Sequence, residues 1–229
     1  MKDIKDDPFF IEGMEAFLMG DWSAAKESFL HLEKSFPEND HIIFILGNIY
    51  YSLGVLDKSI EYYKKTIELS NGEDYCGNAY YKIGVSYFKM GKFAEALKAF
   101  QQSIKAEKSQ HVMVYYYLGL ISTHLGNDEQ AIGYFDKLRL ASPQTKMAVF
   151  FEAQLKVKRH EFKSAIGLLE QFLEVTPEFA EAHHLLGVAH MGLHENMKAL
   201  SYFRKAVELN PEDKRSAIEV SKLATTDWP

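Results

Sequence analysis

Four histidines crowd one stretch of this chain: His183, His184, His190 and His194. His190 and His194 are four residues apart and His183 and His190 seven apart, spacings that place side chains on one face of a helix. Imidazoles arranged so can ligate zinc or nickel, which accept nitrogen donors. The patterns that other chemistries need are missing. No glycine loop ends in Lys-Ser or Lys-Thr to cradle a phosphate, and no Gly-x-Ser-x-Gly turn presents a serine nucleophile. His160-Glu161 and His194-Glu195 lack the second histidine of an H-E-x-x-H zinc site. Cys76 is the one cysteine, so no intrachain disulfide can form, which fits a reducing compartment. It reads as a loop residue. No titratable cluster suits acid–base or nucleophilic work, so the reading is of a protein that is not an enzyme, with no catalytic residue, no metal site and no cofactor.

The elements that carry the histidines explain them better than a metal does. A framework of a small residue, a second seven later, a third twelve later and a large apolar residue sixteen later recurs along the chain. It reads Gly13, Gly20, Ala25, Phe29; Gly47, Gly54, Ser59, Tyr63; and Gly84, Gly91, Ala96, Phe100. It continues as Gly119, Gly126, Ala131, Phe135; Ala153, His160, Ala165, Leu169; and Gly187, His194, Ala199, Phe203. The steps between copies are 34, 37, 35, 34 and 34 residues. Pro37, Pro143, Pro177 and Pro211 close four of the copies, 24 residues after the first marker. Each copy predicts two short helices, because the apolar positions recur every three or four residues and the second glycine suits a helix end. Asp21, Asp57 and Asp128 fall at the start of the second helix, where a carboxylate can cap free N–H groups. His160 and His194 stand where the helix-ending glycine is expected, which makes those ends strained or differently capped. His183 and His190 fall at positions that other copies give to large aromatic residues.

A period of 34 with this pattern resembles the tetratricopeptide repeat. The resemblance covers residues 6–213 and implies an all-α fold, a right-handed superhelical solenoid of six helix-turn-helix repeats. The expected repeats are residues 6–39, 40–76, 77–111, 112–145, 146–179 and 180–213, after a polar tail at 1–5. The three extra residues of the 37-residue step belong near the Asn71-Gly72 turn signal. Residues 214–229 should cap the end of the stack with a helix made partly apolar by Ile218, Ala217, Val220, Leu223 and Ala224, because a terminal repeat otherwise exposes an apolar face. Trp228 beyond it is either a loose end or a plug for a groove.

With 47% hydrophobic and 14% aromatic residues, the chain can fill the seams between such helices. A net charge of −6 and the lack of any basic run argue against nucleic acid as a partner. No apolar run approaches the ~20 residues that span a bilayer, and the first residues lack an apolar core of signal-peptide length. A cytoplasmic location without membrane insertion is expected.

The resemblance also implies a binding surface. In that family the first helices line a concave groove that holds peptides. The lining positions here are Phe10, Met14, Phe17, Phe44, Asn48, Tyr51, Tyr81, Val85, Phe88, Tyr116, Leu120, Thr123, Phe150, Gln154, Val157, His184, Val188 and Met191. None is formally charged in a chain where 25% of residues are. The middle position of each set is often asparagine in the family; only Asn48 and Gln154 keep an amide. Lys82 is the one basic residue near the place where chaperone-binding members clamp a terminal carboxylate, so that clamp is absent. The expected partner is therefore a protein or peptide segment that is apolar or amphipathic, as for an adaptor or assembly factor. The alternative is a self-assembling homo-oligomer in which a terminal segment, Trp228 or Phe9–Ile11, docks in a neighbour's groove.

Overall fold

The computed structural model describes residues 4–70, 75–106, 111–142 and 146–225. Among these residues every regular element is helical. A 3-10 turn at Ile4–Asp6 leads into α1 (Pro8–Met19), α2 (Trp22–Ser35), α3 (Asp40–Ser52), α4 (Leu56–Leu69), α5 (Cys76–Lys89) and α6 (Phe93–Lys105). Then come α7 (Met113–His124), α8 (Asp128–Ala141), α9 (Met147–Lys158), α10 (Phe162–Leu173), α11 (Ala180–Gly192), α12 (Asn196–Leu209) and α13 (Lys214–Ala224). The Asn71-Gly72 turn, Pro143 and the tail with Trp228 lie outside the described residues.

Residues 1–121 and 122–229 are two compact units, and α7 runs through the division. In the first, α1 to α6 each pack on their neighbours in sequence. In the second, α8 to α13 do the same, and α9 also reaches α11. Local signals set the helix starts. Asp7, Asp21 and Asn39 accept a backbone N–H from two or three residues ahead, at 3.0 Å each, satisfying donors that have no partner inside the helix. Asp57 and Asp128 sit in the first turns of α4 and α8. The turns between paired helices need a left-handed residue. Gly20, Gly54, Gly91 and Gly126 supply it, and His160 (φ 58°) and His194 (φ 62°) adopt the same conformation despite carrying side chains, so the expected strain at those two ends is present.

Fully buried rings sit on the second helices: Phe29, Tyr63, Phe100, Phe135 and Phe203. Glycines at Gly47, Gly84 and Gly187 let the first helix of each pair approach so closely that a Cβ there would lie 2.6 Å from a ring atom. In the α9–α10 pair the glycine is Ala153 and the ring is Leu169, both fully buried. A larger residue on one helix is matched by a slimmer one on the other, so interior volume is conserved.

Cys76 corrects the sequence reading. It is the first residue of α5 and is buried, and burial pushes its thiol pKa up, away from thiolate chemistry.

Candidate functional site

The four clustered histidines are engaged in packing and capping. His183 Nε2 lies 2.8 Å from the Pro177 carbonyl oxygen. His190 Nδ1 meets Glu195 Oε2 at 2.6 Å, and its ring stacks on Tyr202. His194 forms the turn into α12. His184 Nδ1 sits 2.7 Å from Ser216 Oγ, whose hydroxyl donates to Asp213 Oδ2 at 2.7 Å. A serine, a histidine and an aspartate thus meet, but in the wrong order for acyl transfer. Both oxygens approach the same imidazole nitrogen, and the serine hydrogen is committed to the carboxylate. Among the described residues no three metal-ligating side chains converge.

The aromatic first-helix positions are better placed. In the first unit Phe10, Met14, Phe17, Phe44, Asn48, Tyr51, Tyr81, Phe88, Tyr116 and Leu120 are half-buried, each with part of its surface open. Val85 is buried and takes no part in that open surface. Tyr81 stacks on His111 at 4.5 Å, and Tyr117 bridges Tyr81 and Phe88 at 6.2 and 5.1 Å. Burial and the neighbouring Tyr117 push the Tyr81 phenol up to about 12, so it stays neutral. Asn48 is partly committed: its Oδ1 accepts the Tyr63 hydroxyl at 2.9 Å, leaving the amide N–H donors.

Two lysines also converge here. The ammonium groups of Lys82 and Lys89 stand 5.6 and 4.1 Å from the Tyr51 ring centroid, a cation–π arrangement. Burial, reinforced by the charge of Lys89, holds the Lys82 ammonium below its ordinary pKa. The open face of α3 and α5 is therefore aromatic with a cationic corner. The uncharged list of lining positions did not contain that corner, because the lysines reach it from adjacent positions on α5.

In the second unit the corresponding positions are mostly closed. Phe150 is 4% exposed and wedged among Phe151, Phe172 and Phe179. Val157 and His184 are buried too. Gln154, Val188 and Met191 are half-buried, the last two packed on the Phe203 cluster. Phe150 and His184, offered by the sequence as groove residues, serve the interior.

Three histidines, His184 buried and His41 and His111 half-buried, give the fold a pH dependence. Burial lowers the pKa of His41, against the pull of Asp40. It also lowers His111, helped by Lys82, and His184, helped by Arg215. A histidine whose folded pKa is depressed stabilises the fold above its unfolded pKa and loses that contribution as pH falls. The urea midpoint should therefore be lower at about pH 5 than at about pH 7.5; equal midpoints would contradict these burials.

A tetratricopeptide repeat profile matches residues 42–109, and a second matches residues 81–144 and 152–215, more than half of the chain by itself. The chain belongs to the tetratricopeptide repeat family. Its fold class is an all-α repeat solenoid, with α1, α3, α5, α9 and α11 as first helices of hairpins. Protein CTR9 homolog of Arabidopsis thaliana is 36% identical over 70 residues, 31% of this chain and 6% of that protein. Anaphase-promoting complex subunit 3 of Schizosaccharomyces pombe is 25% identical over 193 residues, 84% of this chain and 28% of that protein. The tetratricopeptide chain thus spans less than a third of either relative. Among solved structures, YrrB, described as a TPR protein with an unusual peptide-binding site, is 22% identical, covers 86% of this chain and 99% of its own, and superposes with a TM-score of 0.72. That likeness is one of fold. Among the described residues no helix is long and apolar enough to cross a membrane.

Proposed function

We propose that this tetratricopeptide repeat protein is a non-catalytic interaction module whose first-helix face in residues 1–121 holds an amphipathic segment of a partner protein. The observation that carries the reading is the open strip of Phe44, Tyr51, Tyr81, Phe88, Tyr116 and Leu120, half-buried and uncharged, with Lys82 and Lys89 gathered at Tyr51. Aromatic side chains that are already ordered lose little entropy on binding and are favoured anchors. Lys82 is half-buried beside a second cation, so a partner carboxylate placed there gains a charge-assisted hydrogen bond. The segment that fits is apolar or aromatic with an acidic residue facing the lysines. Asn48 contributes amide donors to its backbone. The similarity to a subunit of a named assembly over most of the chain supports an interaction role.

A peptide array identifies a binding segment, and Tyr81→Glu, Leu120→Glu and Lys82→Glu test it. Each should weaken binding at least about tenfold, or about 1.4 kcal/mol, with unchanged circular dichroism. Three folded variants that all bind within about twofold of wild type would place the site elsewhere. The self-assembling alternative rests on Ile11, 49% exposed, and Phe9, 38% exposed; a strict monomer by light scattering across concentration removes it.

A further inference from the structure

A second site lies on another face of α5. Tyr80, Ile83 and Tyr87 of α5, Ile67 of α4 and Ala99 of α6 line an apolar cavity of about 440 Å³. These α5 residues sit roughly 130° around the helix from Tyr81, Val85 and Phe88, at about 100° per residue. The cavity exists because of one residue. The position fifteen after the first marker of each repeat is Ser28, Tyr62, Ala99, Tyr134, Leu168 and Tyr202.

In two other hairpins the structure shows what fills this place. Tyr62 stacks on Tyr50 with centroids 5.1 Å apart and planes at 15°. Tyr202 stacks on His190 at 5.2 Å and 6°, and faces His183 at 6.1 Å. Tyr87 and Tyr80 are the counterparts of those two histidines, and Ile67 is the counterpart of Leu173, which packs in the same cluster as Tyr202. The α4–α5–α6 site therefore keeps the platform and the aliphatic wall but lacks the ring. At the Tyr62 site the hydroxyl donates to Glu33 at 3.1 Å. Ile67 stands in the place of Glu33, so the empty slot is the more apolar of the two and selects for a ring over a hydroxyl.

We infer that this slot binds an aromatic side chain from a partner peptide, seated over Tyr87 as Tyr202 is seated over His190. An apolar cavity of about 150 Å³ suffices for benzene, so 440 Å³ takes a ring and part of its flanking residues. The rim sets their charge. Lys64 and Glu68 on α4 and Glu95 and Lys98 on α6 border the opening, and all four are exposed. A peptide with one basic and one acidic residue beside the ring complements them. This site is independent of the first-helix strip, and the two can fail separately.

The test uses the whole chain, nitrogen-15 labelled, and a defined probe, acetyl-Lys-(4-fluoro-Phe)-Glu-amide, with the probe followed by fluorine NMR, the protein by proton–nitrogen amide spectra, and acetyl-Lys-Leu-Glu-amide as competitor. The probe should bind at millimolar concentration, shift the amides of Ile83, Tyr87 and Ala99, and resist the leucine peptide. Ala99→Tyr fills the slot as its sister repeats do. It should raise the urea midpoint and raise the probe Kd at least tenfold, while Tyr81→Glu leaves the probe Kd unchanged. If Ala99→Tyr melts below wild type, Tyr87→Ala decides, because it removes the platform; binding retained there overturns the inference. So does a probe Kd within twofold of wild type in a folded Ala99→Tyr, equal competition by the leucine peptide, or no binding at all. Self-association that Ala99→Tyr abolishes would put a second copy in the slot and overturn the partner-peptide assignment.

Discussion

Replacing Gly84 with alanine should destabilise the protein by about 1 kcal/mol, lowering the melting temperature by roughly 2–4 °C for a chain of this size. The added Cβ would lie 2.6 Å from Phe100 Cδ1 and Cε1 and 2.9 Å from Cζ. Phe100 is fully buried and stacks on Tyr117 at 5.2 Å with planes at 9°, so the ring cannot step aside without disturbing a second contact. Overpacking of this kind costs about 1–3 kcal/mol. Alanine's better helix propensity returns up to about 1 kcal/mol, which leaves the net figure. Gly133→Ala is the control: it lies inside α8 with nothing within 4 Å of its would-be Cβ, so only the propensity gain of up to about 1 kcal/mol remains. Ala153 and Leu169, both fully buried in the α9–α10 pair, indicate the rescue. Phe100→Leu alone should cost about 1–2 kcal/mol as a large-to-small change. Combined with Gly84→Ala it should cost less than the sum, with a coupling of about 1–2 kcal/mol. Strict additivity in urea melts would mean that the close approach is not what the glycine is for.

This glycine–ring pairing is why so much of the fold was legible. Gly47 with Tyr63 and Gly84 with Phe100 are sixteen residues apart, and each pair closes one hairpin through contacts set by short-range spacing. The same holds for His160 and His194, where the glycine framework marked ends that would be strained or differently capped, and the structure shows left-handed backbone at both. The candidate site was less legible, because exposure depends on residues supplied from other hairpins. Val85 and Phe150 occupy the same kinds of position as the half-open Leu120 and Tyr81, yet their neighbours close over them. Lys82 and Lys89 gather on Tyr51, more than thirty residues earlier, a convergence that only packing of α3 near α5 brings about. Ala99 carries no signal of its own; its meaning comes from Tyr62 and Tyr202, which show what it omits.

Asp213→Ala should cost more than any other single change at the α11–α13 junction, about 3 kcal/mol, and the loss should be confined to the second unit. Asp213 is 8% exposed and does three things at once. Its Oδ1 caps α13 by accepting the Arg215 backbone N–H at 3.2 Å and accepts Arg215 Nε at 3.0 Å, while Oδ2 accepts the Ser216 hydroxyl at 2.7 Å. Burial pushes its carboxyl pKa up, but the hydrogen bonds from Ser216 and Arg215 and the nearby positive charge outweigh that and hold it low. Alanine removes a cap worth about 1 kcal/mol and the bond from the buried Ser216 hydroxyl to a charged oxygen, worth about 1.5–3 kcal/mol more, leaving that hydroxyl only His184 Nδ1, 2.7 Å away. Arg215 pairs with both Glu181 oxygens at 3.2 and 2.5 Å, but its side chain is 60% exposed, so Arg215→Ala should cost no more than about 1 kcal/mol. Burial is what separates the two sites: the same number of contacts stabilises little where water can replace them and much where it cannot. α13 covers Leu200 and Phe203 through Leu223 and Val220, so loosening it exposes the last hairpin. Hydrogen exchange should accelerate through α12 and α13 and stay unchanged in α1 to α6, because helices of a repeat stack depend mainly on their neighbours. If Asp213→Ala proves no worse than Arg215→Ala, or if exchange rises equally in α1 to α6, the buried carboxylate is not what fastens α13 to the stack.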